Sequence, residues 1–378
     1  MKVAERRGLL LAFLVFGVFW GAWSATLPAV RAQAGVSDGQ LGLALGAVAL
    51  AAVPMMPVAG RLVDRFGART ALPLSLLGFG AVLWLPALAH SLAPLVVALA
   101  FLGLATGMLD VVANAATAAW ERVEADRLMS LVHGAFSVGV LVGSATAGIA
   151  REAGARPLAI LLTVTAGVLL VGVTQPRYRQ ATGEAEVGGR RSRLPWVLVG
   201  IGLLTAGSFL CEDAIQSWSA LHLERGLGAS PGISGLGPGL FAGAMAVGRL
   251  AGGPLGARVR EDRLVGGAAT LLTAGALVVA TAPNAVVALA GLVLAGAGTS
   301  VLAPVLYSAV GRRAAAGRQG ADLAAVTALG YLGFVAGPPL VGALSAATSL
   351  PVALGSLSVV AAAIAVGGVL LLSGKMRA

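Results

Sequence analysis

Long uncharged runs of apolar residues alternate with short clusters of charge along the whole chain. A helix that crosses a bilayer needs roughly 20 mostly apolar residues. Runs of that kind occur at 8–30, 40–60, 70–90, 93–119, 130–150, 157–175, 195–222, 234–254, 264–282, 285–310, 322–346 and 350–373. Lone strands leave backbone groups unsatisfied in lipid, so all twelve are predicted as helices. The sharpest interruption is "GRLVDRFGAR" at 60–69, which places Arg61, Asp64, Arg65 and Arg69 between two uncharged flanks. The longest polar segment, "QPRYRQATGEAEVGGRRSRLP" at 175–195, is too short for a core of its own. It divides the chain into 1–175 and 195–378, six helices each, with 176–194 as a linker.

Basic residues set the orientation, because Lys and Arg accumulate in cytoplasmic loops. With both termini cytoplasmic, every one of the 26 Lys and Arg falls on the inner side except Arg31, Arg151, Arg156 and Arg225. A missed or extra helix early in the chain would scramble that bias. "GRLVDRFGAR" is then an inner loop between helices 2 and 3. The opening "MKVAERRGLLLAFLVFGVFWGAWSATLPA" resembles a signal peptide in its basic start and small residues. Its apolar run is long enough to cross and many like it follow, so it reads as an uncleaved first span.

The two sets of six echo each other. "GRL" at 60–62 recurs at 248–250. "GVLVGSATAG" at 139–148 matches "GFVAGPPLVG" at 333–342, with Gly139, Gly143 and Gly148 falling on Gly333, Gly337 and Gly342. Parallel repetition of this kind predicts two bundles around a central site near the membrane midplane.

Composition agrees. Mean hydropathy is +0.91, and only 11% of residues are charged. There are 54 glycines, about twice the ordinary share of roughly 7%, and small residues let helices approach closely in lipid. The net charge of +10 is the inner-loop bias rather than a nucleic-acid footprint. A single cysteine, Cys211, excludes an intrachain disulfide or a cysteine metal cluster. Three scattered histidines make no zinc set, and no Gly-Lys-Ser/Thr phosphate loop is present. Enzymatic chemistry, a metal and a cofactor are not expected.

Twelve helices, a six-plus-six repeat and Gly60, Leu62, Asp64, Arg65, Gly67 and Arg69 in the loop after helix 2 resemble the major facilitator superfamily, whose signature there is roughly G-x-L-x-D-R-x-G-R-R. Ala68 departs from it. The resemblance implies an all-α membrane protein of two pseudo-symmetric six-helix bundles. It also implies that Gly60, Arg61, Asp64, Arg65, Gly67 and Arg69 form a cytoplasmic gate, with Asp64 latching the two halves and reaching helix 11 near Asp322. The second copy, "GRLAGGPLGAR", keeps Arg249 but has Gly252 in place of Asp64. "LDVVANAATAAWE", "LMSLVHGAFSVGVLVG" and "EDAIQSWSALHLE" resemble the fucose-permease-like branch, in which an acid in helix 4 precedes an Asn by four positions, as Asp110 precedes Asn114. Sugar symporters of that branch also use an acid in helix 1; helix 1 has none here. The Gly-Pro of antiporter helix 5 is likewise absent from "GVLVGSATAG".

Side-chain chemistry inside the spans marks the candidate site. A charge near the midplane costs about 2.5–3.5 kcal/mol on insertion scales. Every Lys and Arg falls in a loop or at a helix end, so no cation is expected beside Asp110. An acid that charges only when hydrated suits a proton carrier, or a counter-ion for a cationic solute; a hydrogen-bonded structural acid is the plainer alternative. Asn114 shares its face and is either a ligand for hydroxyls or interhelical glue. Ser208, Glu212, Gln216 and Ser219 form one polar stripe on helix 7, which assigns Glu212 to proton coupling and Gln216 to solute binding. Trp20, Trp23 and Trp218 are stacking platforms or packing residues. His133 is a proton shuttle or a structural histidine. The reading is a monomeric secondary transporter of the inner membrane that takes up a small sugar-like or other polar solute by alternating access, coupled to protons as a symporter. Proton-coupled efflux of drugs or metabolites is the first alternative, and a transport-dead receptor the second.

Overall fold

The computed structural model describes residues 2–124, 128–176, 178, 194–256, 258–314 and 318–373, without the side chains of 252–256. The linker 176–194 apart from its described positions, Arg127, Lys375, Arg377 and the comparison of Gly252 with Asp64 lie outside them.

The described chain is helical. The first bundle holds α1 (Lys2–Ala34), α2 (Asp38–Val82), α3 (Leu92–Glu124), α4 (Met129–Glu152) and α5 (Pro157–Val173). The second holds α6 (Trp196–Leu221), α7 (Pro231–Gly256), α8 (Glu261–Thr281), α9 (Ala285–Thr299), α10 (Leu302–Arg313), α11 (Gln319–Ala347) and α12 (Leu350–Leu372). Two features reconcile this list with the predicted spans. The second and third spans form the single element α2, folded back at Gly67, whose φ of 71° and ψ of 164° are open to glycine without strain. Gly60 stays helical, so Gly67 alone makes the turn. The tenth span is split into α9 and α10 beside Ser300. Pro304 explains the break, since it has no N–H for the Ser300 carbonyl and its ring crowds that oxygen.

Caps sharpen several of the remaining ends. Ser37 and Gln40 close a capping box at the start of α2, and the side chains of Asn284 and Ser349 cap α9 and α12. Glu121 of α3 accepts from the Met129 backbone N–H at 2.7 Å, which satisfies a free donor at the start of α4.

Within the bundles the repeat governs packing. α4 lies on α1 and α11 lies on α6. Gly139 and Gly143 of α4 face the α1 backbone, and Gly333 and Gly337 of α11 face that of α6. The third glycine of each set crosses between bundles. A Cβ on Gly342 would sit 2.6 Å from the Asp38 carbonyl oxygen, and one on Gly148 would sit 2.9 Å from that of Pro231. α2 therefore packs on α11, and α4 on α7, near the predicted outer end.

Candidate functional site

Ion pairs reinforce that outer seam. The π-turn His222–Gly226 follows α6 and is anchored by His222 Nε2, 3.0 Å from the Val279 carbonyl oxygen. It offers adjacent Glu224 and Arg225 to opposite charges on two helices of the first bundle. Arg151 of α4 donates to both Glu224 carboxylate oxygens at 2.8 and 2.9 Å, and to the Ala25 carbonyl oxygen at 2.9 Å. Arg225 donates to Asp38 at 2.8 Å. Asp38 also holds Arg31 at 2.7 Å and accepts from the Ser345 hydroxyl at 2.7 Å. Glu152 accepts from the Ser230 hydroxyl at 2.7 Å and from the Gly232 N–H at 2.6 Å. Three of the four arginines that the inside bias left over thus sit beside this closure.

At the opposite end Arg61, Asp64, Arg65, Phe66 and Arg69 are exposed. Arg65 lies over the Phe66 ring, 5.4 Å from its centre. Asp322 is buried and bonded by Arg318 of its own first turn, at 2.8 Å, rather than by anything in the Gly67 loop. Among the described residues no ion pair joins the two bundles at this end.

The residues expected near the midplane form a chain of polar contacts. Asp110 of α3 uses both carboxyl oxygens: Oδ2 accepts from the Tyr331 hydroxyl of α11 at 3.3 Å, and Oδ1 accepts from Asn114 Nδ2 at 3.1 Å. That amide also donates to the Asp110 carbonyl oxygen at 2.8 Å. Its Oδ1 lies 3.2 Å from His133 Nε2 of α4, and the His133 ring stands edge-on to Phe13. Asp110, Asn114 and His133 are thus brought together, and Tyr331 ties them to the opposite bundle. Both partners of the Asp110 carboxyl are neutral, so its charge is carried by hydrogen bonds alone.

The second-bundle wall is aromatic. Phe209 stacks on Phe334 at 4.4 Å between ring centres, with Tyr331 and Tyr307 at its edges. None of these rings was among the sequence candidates, because a single apolar-rich helix does not reveal which face meets its partners.

The polar stripe of α6 is divided by the structure. Glu212 and Gln216 are partly exposed, whereas Ser208 and Ser219 are buried in helix packing. Trp218 is 0% exposed and Trp23 only 2%, so neither offers a face to a solute, and both leave the candidate site. Trp20 keeps partial exposure while its ring meets Phe16 and Phe19.

One expectation is corrected. Arg249 is not confined to a loop: its guanidinium lies 3.6 Å from Glu212. Glu212 stands 16 residues into α6, roughly 24 Å along its axis. Helical side chains lean toward their own N-terminus, so Arg249, near the C-terminal end of α7, reaches back along its helix toward Glu212. The "GRL" echo had assigned it to an inner boundary like that of Arg61.

No group of three or more metal-ligating side chains occurs among the described residues. A family model described as the Major Facilitator Superfamily matches residues 9–210 and again 201–376. An uncharacterized MFS-type transporter of Yersinia pestis is 31% identical over 93% of this chain and 92% of its own. The membrane protein MosC of Rhizobium meliloti is 28% identical over 89% and 83%. Among solved structures, a D-xylose-proton symporter superposes with a TM-score of 0.75 at 14% identity, over 98% of this chain and 97% of that one. An inward-facing, unoccupied bacterial homolog of the human lysosomal transporter Spinster gives 0.74 at 16% identity, over 98% and 95%.

Proposed function

The chain belongs to the major facilitator superfamily and is a secondary transporter, not an enzyme, and we propose that it moves a small polar solute by alternating access, coupled to protons through Asp110. The observation that carries this reading is the Asp110 carboxyl, bonded by Tyr331 of the opposite bundle and by Asn114, with no cation bonded to it among the described residues. A carboxylate in such a place is costly and its protonated form is not. Loading a proton while the site is wetted from one side, and releasing it to the other, links proton movement to the change of exposure. His133, reached through Asn114, continues the path into α4.

The moving units are 1–175 and 195–378, joined by the linker 176–194, in the inner membrane with both termini cytoplasmic. Closure by Asp38, Arg151, Glu152, Glu224 and Arg225 at the outer end supports an inward-facing state. The Gly67 loop is then the released gate, and Asp64 engages the second bundle only after the exchange. The Asp110–Asn114 pair also supports kinship with the fucose-permease-like branch. Proton-coupled efflux is the second reading, favoured by the aromatic wall of Phe209, Tyr307, Tyr331 and Phe334.

Proteoliposomes given an inward proton gradient, and offered radiolabelled D-galactose, D-xylose and D-gluconate, test the coupling. The expected result is accumulation of at least one solute that collapses with a protonophore. Equal uptake with and without the gradient would overturn proton coupling.

A further inference from the structure

Arg249 is badly served by its surroundings. Among the described residues its one acidic partner, Glu212, stands at 3.6 Å, beyond a good charge-assisted hydrogen bond. Its other contact is the Met245 thioether at 3.3 Å, a weak acceptor. The side chain keeps 28% of its surface and that of Glu212 19%. A guanidinium carries five donors in a planar fork, and most of these have no acceptor among the described residues. One turn from Glu212, the buried Gln216 Nε2 likewise lacks an acceptor. Unfilled buried donors such as Gln216 Nε2 are expensive. They become useful where a solute brings the missing acceptors.

We infer that Arg249 is an oxyanion-binding subsite of the central site, and that it seats the carboxylate of a small hydroxylated monocarboxylate in competition with Glu212. The inference rests on the transport reading above and names the solute class. Geometry favours an oxyanion because a planar fork meets two oxygens at once. Charge favours a single negative charge: Glu212 already lies beside this guanidinium and Asp213 is its neighbour in sequence, so a phosphate dianion would meet more repulsion than a carboxylate. Glu212 acts as an internal surrogate ligand. It neutralises Arg249 when the site is empty and yields when the solute's carboxylate arrives. Asn114, Gln216 and the Tyr331 hydroxyl are then left for hydroxyl groups, and the Phe209–Phe334 stack for the apolar face of the solute.

The test is titration of the purified full chain with D-gluconate, D-glucose and inorganic phosphate at constant ionic strength, read by calorimetry. Gluconate should bind at least about tenfold more tightly than glucose or phosphate, the worth of one charge-assisted bond. Arg249→Gln should abolish that preference. Arg249→Lys, which keeps the charge and loses the fork, should weaken gluconate about tenfold, and it serves if Arg249→Gln does not fold. Glu212→Gln should tighten gluconate several-fold by removing the competitor. Equal binding of gluconate and glucose, tighter binding of phosphate, a preference that survives Arg249→Gln, or weakening by Glu212→Gln overturns the inference. If vesicles accumulate a neutral solute while gluconate fails to bind, the subsite falls and transport stands. If gluconate binds through Arg249 and nothing moves, the subsite stands and transport falls.

Discussion

Tyr331 and Asp110, 221 residues apart in sequence, meet across the two bundles in a 3.3 Å hydrogen bond. It is the polar contact that ties the Asp110 carboxyl to the second bundle. Tyr331→Phe deletes this one bond and keeps the ring against Phe209 and Phe334. A neutral hydrogen bond contributes about 1 kcal/mol net. Gradient-driven accumulation should therefore fall several-fold, while the melting temperature drops by only a few degrees. A variant with wild-type accumulation would remove Tyr331 from the coupling path.

The outer clasp is held by Arg151 and Glu224, whose bidentate pair joins α4 to the π-turn. Arg151→Ala should favour opening at that end by about 1–2 kcal/mol, hence roughly tenfold. The reporter is Ser144→Cys, a buried position in the seam that contacts the Gly235 carbonyl oxygen. With Cys211 replaced by Ser, an impermeant maleimide added outside should label the reporter faster in the Arg151→Ala background. High salt should have the same direction of effect, since Arg225 of the second pair is half exposed and open to screening. Slower labelling in Arg151→Ala would contradict the clasp.

Glycine size sets how closely the bundles meet. A Cβ on Gly235 would lie 2.7 Å from the Gly148 Cα, which is backbone and cannot rotate away. Gly235→Val should thus destabilise the outer-closed state by about 1–3 kcal/mol and speed labelling of the same reporter. Gly167, with nothing within 4 Å of a Cβ, is the control: Gly167→Ala should leave labelling unchanged.

Much of the architecture was legible in the sequence because span length, loop charge and the spacing of Gly139, Gly143 and Gly148 are one-dimensional signals. The Asp110–Asn114 contact was legible for the same reason, since four residues are one helical turn. What escaped depends on azimuth and on partners distant in sequence. Trp23 and Trp218 look like ligand platforms until their helices turn them into packing. Phe209, Tyr331 and Phe334 converge only when α6 meets α11. Arg249 was hidden by its place in a loop-like echo, and the backward lean of helical side chains was the available clue. The clasp left its own trace in the opposite charges Arg31, Asp38, Arg151, Glu152, Glu224 and Arg225, all at predicted outer ends.

Asp64 is exposed at the Gly67 turn, and among the described residues it makes no ion pair in this state. If it latches the bundles only when they face outward, Asp64→Asn should shift the balance toward the inward-facing state. Outside labelling of the Ser144→Cys reporter should then slow several-fold, while the melting temperature of the outer-closed form stays near wild type. An unchanged labelling rate would leave the loop with a topological role alone.

The most direct measurement is made on Asp110→Asn in proteoliposomes, comparing solute counterflow with accumulation driven by a proton gradient. The variant keeps a similar shape, can still bond to Tyr331 and Asn114, and cannot carry the proton. Retained counterflow with accumulation abolished is the expected result. Accumulation equal to wild type would contradict the account, because the proton would then have to cross by a route that does not include Asp110.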